Sequence, residues 1–276
     1  MNGAHPPARL AALRQQLQAR ACAPWPAHWP RVIVAGLPVG LARPDIAAAL
    51  TGHGFVLADH ALRLDDAALD AAGRSALLAQ AAQALRAAGL THAWRNELLD
   101  VRAAPGGPVL ATLERAVCRS LGIATLAVHM NAIAAEGGLL VARRSASKKI
   151  DPGLWDNLVG GMVPAGESPE AALEREAWEE AGLRPQDFSA RAGSLITVDR
   201  EVPEGWMREL VQVYDARLAP GVAPANQDGE VDLIERRSPE AVVAGIEAGE
   251  FTLESALATL DCLMREQPGA PAGDLA

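Results

Sequence analysis

Three glutamates define the chemistry this sequence could perform. Glu176, Glu179 and Glu180 stand at i, i+3 and i+4 in AALEREAWEEA. In a helix, at about 100° per residue, they share an arc of about 100°. Carboxylates so placed repel one another. Arg175, one turn before Glu179, relieves part of that repulsion. A Mg²⁺ or Mn²⁺ ion bound through carboxylate oxygens would relieve the rest. Glu170 and Glu174 read as ordinary solvated charges. The three glutamates also keep a fixed spacing from Gly161 and Glu167 upstream and from Gly182 downstream. The whole stretch, GMVPAGESPEAALEREAWEEAGL, reads G-x5-E-x7-R-E-U-x-E-E-x-G-U, with apolar Ala177 and Leu183 at the U positions.

A helix must carry these groups, and its ends are written locally. Ser168 suits the N-cap, Pro169 the first helical position and Gly182 the residue past the end. Leu173, Ala177 and Ala181 lie alongside the carboxylates and can pack on a sheet. Before the helix, IATLAVHMNAIA and LLVARR read as strands about an AEGG turn, followed by the loop-rich RSASKKIDPGLWDNLVGG. After it, SLITVDREV, MRELVQVYDARL and VDLIERRS read as strands, and SPEAVVAGIEAG and TLESALATLDCLMREQ as helices. Residues 1–120 form a separate α+β pattern: an opening helix over 8–21, short strands, a helix over SALLAQAAQALRAAG, a strand at WRNELLDV and a helix over PVLATLERAVCRSLG. The predicted division is an accessory domain over 1–120 and a catalytic domain over 121–276.

Other residues could meet a substrate. Arg143, Arg144, Lys148 and Lys149 lead into the glutamate segment and could hold a diphosphate, Arg as a bidentate donor and Lys as a point charge; they could equally form a solvated patch. Trp155 and Trp206 could stack on a heteroaromatic ring or pack in the core. Trp178 reads as packing. His129 and Asn131 face one side of their strand, where a core or edge role is expected.

The glycine–glutamate spacing matches the Nudix box at every position, and the chain resembles a Nudix hydrolase. Its flanking motifs, RRSASKKIDPGLWDNLVGGMVPAGES, ELVQVYDARL, NQDGEV and TLDCLMRE, resemble a branch related to the hydrolase domain fused to thiamine pyrophosphokinase in some fungi. PVGLARPDIAAAL and AWRNELLDV are similar to the extra N-terminal domain of free-standing members. The resemblance implies an α/β/α sandwich with a smaller N-terminal α+β domain. It implies metal-dependent cleavage of thiamine diphosphate, or its oxidised analogues, to the monophosphate. It assigns Glu176, Glu179, Glu180 and the Gly160 carbonyl to Mg²⁺ or Mn²⁺, Arg175 to orienting Glu179, and Glu167 to bracing the loop through Arg175. A further carboxylate is expected from NQDGEV, Glu230 first and Asp228 second, although this segment also suits a plain turn.

Charge and cysteines narrow the classes. The net charge is −9; residues 1–120 hold 12 basic and 8 acidic side chains, and residues 121–276 hold 13 and 26. Such acidity argues against nucleic acid as partner and suits an anionic substrate only through bound cations. No apolar run is long enough to span a bilayer. Cys22, Cys118 and Cys262 have no ligand spacing and read as reduced thiols of a cytoplasmic protein. The expected partner is a small-molecule diphosphate, within a monomer or homodimer. Rival readings are a hydrolase of nucleoside diphosphate derivatives, an isoprenoid diphosphate isomerase, disfavoured for want of a nearby cysteine, and a non-catalytic ligand sensor.

Overall fold

A computed structural model describes residues 7–266 apart from 67, 92, 93, 149 and 228. Helix α1 (Pro7–Ala21) comes first. A four-stranded sheet follows, built from β1 (Arg31–Val34), β2 (Leu37–Leu41), β3 (Phe55–Ala58) and β4 (Ala61–Leu64) in the order β2-β1-β4-β3, with α2 (Pro44–Leu50) between β2 and β3. Helix α3 (Ala71–Ala87), the ribbon β5 (Leu98–Val101) with β6 (Ala111–Glu114), and the four-residue α4 (Arg115–Cys118) lead onward.

The ribbon corrects the helix expected over PVLATLERAVCRSLG. Ala111 and Leu113 are buried on one side of β6, which is the period of a strand. The backbone of this segment is satisfied from α3: Ser75 Oγ accepts from the Thr112 N–H at 2.9 Å, and Arg74 Nε donates to the Leu110 carbonyl at 2.7 Å. A helix there would forfeit both bonds and the pairing with β5.

The second sheet holds β7 (Thr125–Ile133), β8 (Leu139–Arg144), β9 (Trp155–Asn157), β10 (Val159–Met162), β11 (Phe188–Val202), β12 (Gly205–Leu218) and β13 (Val231–Arg237). The order is β11-β12-β7-β8-β13, with β10 paired to β7 and β9 to β8; β12 and β7 run parallel. Helix α5 (Pro169–Ala181) covers one face, and α7 (Leu253–Arg265), preceded by α6 (Pro239–Glu247), covers the other. The alternation along β7 explains the layering. Val128, Met130 and Ala132 pack with Leu173, Ala177 and Ala181 of α5. Ala127 and Ile133 join the core containing Leu257 and Leu260 of α7. His129 and Asn131 lie on that second side. The result is a mixed α/β fold with helices on both sheet faces.

The N-terminal segment is tied closely to this sheet. Helix α1 packs on α7 and β11, with Arg9 paired to Glu247 at 2.7 Å and Arg14 to Asp261. The turn between β11 and β12 is gripped as well. Arg43 donates to the Pro203 carbonyl at 3.0 Å, and the Trp206 N–H donates to the Arg119 carbonyl at 2.8 Å. Gly205, at φ 143°, allows that approach, since a Cβ there would lie 2.3 Å from the Arg119 oxygen. Trp206 is buried against Trp29 and Leu41, and its indole N–H, like that of Trp25, donates to Asp199.

Candidate active site

The carboxylates reach the site because α5 begins and ends where its sequence dictates. Ser168 Oγ accepts from the Ala171 N–H at 3.2 Å, and Gly182 closes the helix at φ 64°. From this helix Arg175 gathers three acids. Its guanidinium donates to Glu167 at 3.1 Å, to Glu176 at 2.8 Å and to Glu179 at 3.1 Å, and also to the Met162 carbonyl at 3.2 Å. Burial opposes the charge on Arg175, but the hydrogen bonds it donates to Glu167 and Glu176, with their negative charge, outweigh it and raise its pKa.

Glu180 is buried and takes another partner: the Gly160 N–H donates to it at 2.7 Å. Desolvation pushes its carboxyl up to about 8, against the lowering effect of that N–H. Burial also raises Glu176, with Arg175 pulling the other way. The two glycines of β10 serve opposite sides. A Cβ on Gly161 would lie 2.0 Å from the Glu176 carboxyl, and one on Gly160 would lie 3.2 Å from the His129 ring.

A hard divalent cation fits this donor set in chemistry, since every group is an oxygen. Glu176, Glu179, Glu180 and the Gly160 carbonyl are the residues that would hold it. Among the described residues, however, no three His, Cys, Asp or Glu side chains converge on one point. The acids are drawn instead to Arg175 and to the Gly160 N–H.

Glu230 lies near this group. It lines a small cavity with Glu180, Gly160, Asp156 and Arg144. It is paired with Lys148, which lowers its pKa despite partial burial. Asp228 and Lys149 lie outside the described residues. The basic segment is largely spoken for: Arg144 donates to Asp156 at 2.8 Å and to the Ile150 carbonyl at 3.0 Å, and Arg143 is exposed on β8.

Trp155 and Trp206 take the core role that was one of their two expected alternatives, and Trp178 departs from its expected packing. Trp155 is buried, with the Arg237 guanidinium 3.7 Å over its ring, so both core and cation occupy the faces a substrate would need. Trp206 is a core anchor. Trp178, expected to pack, is instead 47 % exposed beside Arg184, because its position on α5 points away from the sheet.

Beside Gly160 and Gly161 opens a cleft of about 440 Å³ lined by His129, for which a core or edge role was expected, and by Arg115, Arg119, Arg200, Glu209 and Glu254, which no motif singles out. Asp156 also borders it. Arg115 is paired with Glu97 at 2.7 Å. Arg200 Nε is buried and has no hydrogen-bond partner, alone in this among the side-chain atoms of the described residues. Burial and repulsion from Glu209 raise the Glu254 carboxyl. Nothing in the local sequence marks the arginines and glutamates among them; they meet only when α4, β11, β12 and α7 close around β7 and β10.

Residues 124–256 match the family described as NUDIX domain, and residues 14–125 match a domain of unknown function, DUF4743. Among curated proteins, the chain is 33 % identical over 186 residues to Nudix hydrolase 20, chloroplastic, of Arabidopsis thaliana, covering 64 % of this chain and 49 % of that protein. Against Nudix hydrolase 24, chloroplastic, of the same plant the figures are 32 % over 196 residues, 66 % and 53 %. The chain thus spans about half the length of these relatives. A 98-residue stretch is 37 % identical to an isopentenyl-diphosphate Delta-isomerase of Klebsiella pneumoniae, covering 35 % of this chain and 52 % of that one.

Proposed function

We propose, from the match of residues 124–256 to the NUDIX domain family, that the protein is a metal-dependent hydrolase of a diphosphate linkage. One observation carries the reading: Glu167, Glu176 and Glu179 are gathered on Arg175 while Glu180 is fastened to the Gly160 N–H, at the edge of a cleft. A bound Mg²⁺ or Mn²⁺ would supply charge neutralisation at the phosphate oxygens and a more acidic water. The protein's part is positioning and electrostatics. Arg175 opposes the burial that raises Glu176 and keeps Glu176 and Glu179 aimed, and Glu167 braces that guanidinium. Glu230 is the carboxylate we place on the far side of Glu180. Arg119 and Arg200, in place of Arg144 and Lys148, are the cations we assign to the diphosphate, with Arg143 at the rim. Arg144 and Lys148 could serve only by giving up Asp156 and Glu230.

For the substrate we favour thiamine diphosphate or its oxidised analogues. The motif resemblance to the fungal branch supports this choice, and the cleft adds a physical reason. It offers guanidiniums for an anion and Asp156, Glu209 and Glu254 for a cationic ring. A cation there would relieve the repulsion that raises Glu254. We place the boundary between the accessory and catalytic domains near residue 120, so that Arg119 closes the cleft from the accessory side. An isomerase would need a reactive thiol in the cleft, whereas Cys118 and Cys262 are buried, desolvation pushes Cys118 up to about 12, and the exposed Cys22 is not among the residues lining the cleft. No helix among the described residues is long and apolar enough to cross a membrane. The three cysteines are free, the state a reducing compartment keeps, and a cytoplasmic setting is our proposal.

The test is a panel of thiamine diphosphate, its oxo and oxy forms, ADP-ribose and NADH, assayed with Mg²⁺ or Mn²⁺. Metal-dependent release of a monophosphate is expected, fastest from a thiamine compound. A preference of about tenfold for ADP-ribose or NADH, about 1.4 kcal/mol, would end the thiamine reading and leave the diphosphate hydrolase. No turnover of any compound would favour the ligand sensor.

A further inference from the structure

We propose that a relay of buried amides fixes the His129 imidazole so that its Nε2 stands in the cleft as a hydrogen-bond acceptor for an N–H or O–H on the organic part of the substrate. The proposal rests on the reading that the cleft beside Gly160 receives the diphosphate substrate.

The relay begins at groups that can only accept. Asn131 Nδ2 lies 3.1 Å from the Ala258 carbonyl and 3.0 Å from Asp215 Oδ1. That carboxylate is itself clamped by Arg265 at 2.8 and 3.0 Å. The amide nitrogen of Asn131 is therefore fixed toward α7 and β12, and its oxygen points the other way. This oxygen accepts from Asn157 Nδ2 at 2.8 Å and from the Thr259 hydroxyl at 3.2 Å. The second N–H of Asn157 goes to Thr259 Oγ1 at 3.2 Å. Both donors of Asn157 are now used, so its Oδ1, 2.8 Å from His129 Nδ1, can only accept. Nδ1 must carry a proton. In the neutral ring the lone pair is then left on Nε2.

Nε2 makes no hydrogen bond among the described residues, and His129 lines the cleft. Gly160 keeps the face of the ring beside Nε2 clear, since a Cβ there would lie 3.2 Å from Nε2, 3.3 Å from Cδ2 and 3.4 Å from Cε1. A network serving packing alone would end on a partner, because buried polar groups are costly unless satisfied. This one satisfies both amides and Nδ1 and ends on a bare acceptor of a residue that lines the cleft. Ionised phosphate oxygens offer it no hydrogen. The lone pair therefore selects the other end of the ligand, one that carries a donor. Asn131 and Asn157 act through His129 and are positioning residues.

The test reads the tautomer first. Long-range ¹H–¹⁵N correlation on the full ¹⁵N-labelled chain at about pH 8, above the ordinary titration of imidazole, should show a protonated Nδ1 and a bare Nε2, with the signal assigned by its loss in His129→Gln. An Nε2–H ring or an imidazolium overturns the proposal. Asn157→Leu should move the ring toward the Nε2–H form with circular dichroism unchanged; an unchanged tautomer overturns the relay. Kinetics follow with whichever panel diphosphate is hydrolysed. His129→Phe, which keeps a ring without a lone pair, should raise KM about tenfold or more and change kcat by less than about threefold, with His129→Gln in between. Unchanged KM in the Phe variant overturns the acceptor role. If nothing in the panel is hydrolysed, the hydrolase reading falls, while the resonance measurement still decides the tautomer.

Discussion

Arg175 is a placeholder for positive charge among acids that would otherwise repel, and this sets what single substitutions should do. Glu176→Gln or Glu179→Gln should reduce the rate by about 10²–10⁴ if these groups serve a metal or a proton transfer, with the fold retained. Full activity of both variants at limiting Mg²⁺ would remove that role. Glu180 allows a different measurement. Its pKa is raised to about 8 in the folded state, so folding favours the protonated form. The stabilisation is complete below the ordinary carboxylate range and is lost as pH rises through about 8. Glu180→Gln keeps an oxygen for the Gly160 N–H and suffers no such loss. In a chelating buffer its Tm should exceed that of the native chain by roughly 3 °C or more at about pH 9, with the gap closing at about pH 5. A pH-independent difference would show that the carboxyl is not held as described.

Elements differ in how much of them the sequence exposes. Helix α5 and its carboxylates were readable because caps and spacing are local: Ser168, Pro169 and Gly182 act within a turn of themselves. The strand β6 was not, because ATLE within a leucine-rich run has helix formers on both sides and owes its extended form to Ser75 and Arg74 on another element. The arginines we propose for the diphosphate differ from those the sequence suggested for the same reason. RRSASKK advertises charge but spends it on Asp156 and Glu230, whereas Arg200 belongs to no basic run and its cleft neighbours come from other elements. Arg200→Ala should raise KM by about tenfold or more if it holds the diphosphate. Its Tm should hold or rise, since the substitution removes a buried unpaired N–H that costs about 1–3 kcal/mol. A lowered Tm with unchanged KM would make it structural. Arg144→Ala, by contrast, should lower Tm by freeing Asp156.

Across the whole molecule the apolar core does not stop at the accessory segment. Leu10 and Leu17 of α1, Leu62 of the first sheet, and Leu257 and Leu260 of α7 belong to one buried cluster. The chain should therefore unfold in one calorimetric transition, and two resolved transitions would show that the halves are independently stable. The same continuity gives the protein a built-in optical reporter. Three of its six tryptophans, Trp25, Trp29 and Trp206, meet where the N-terminal segment grips the β11–β12 turn. Two of those indoles share one carboxylate, and Arg31 and Arg208 stand 4.2 and 5.0 Å from the ring of Trp25. Such crowding couples their excited states and fixes the polarity each one senses. Emission colour and anisotropy should thus track whether the two halves are seated together, with no dye attached, and would register any loosening of that seam during turnover.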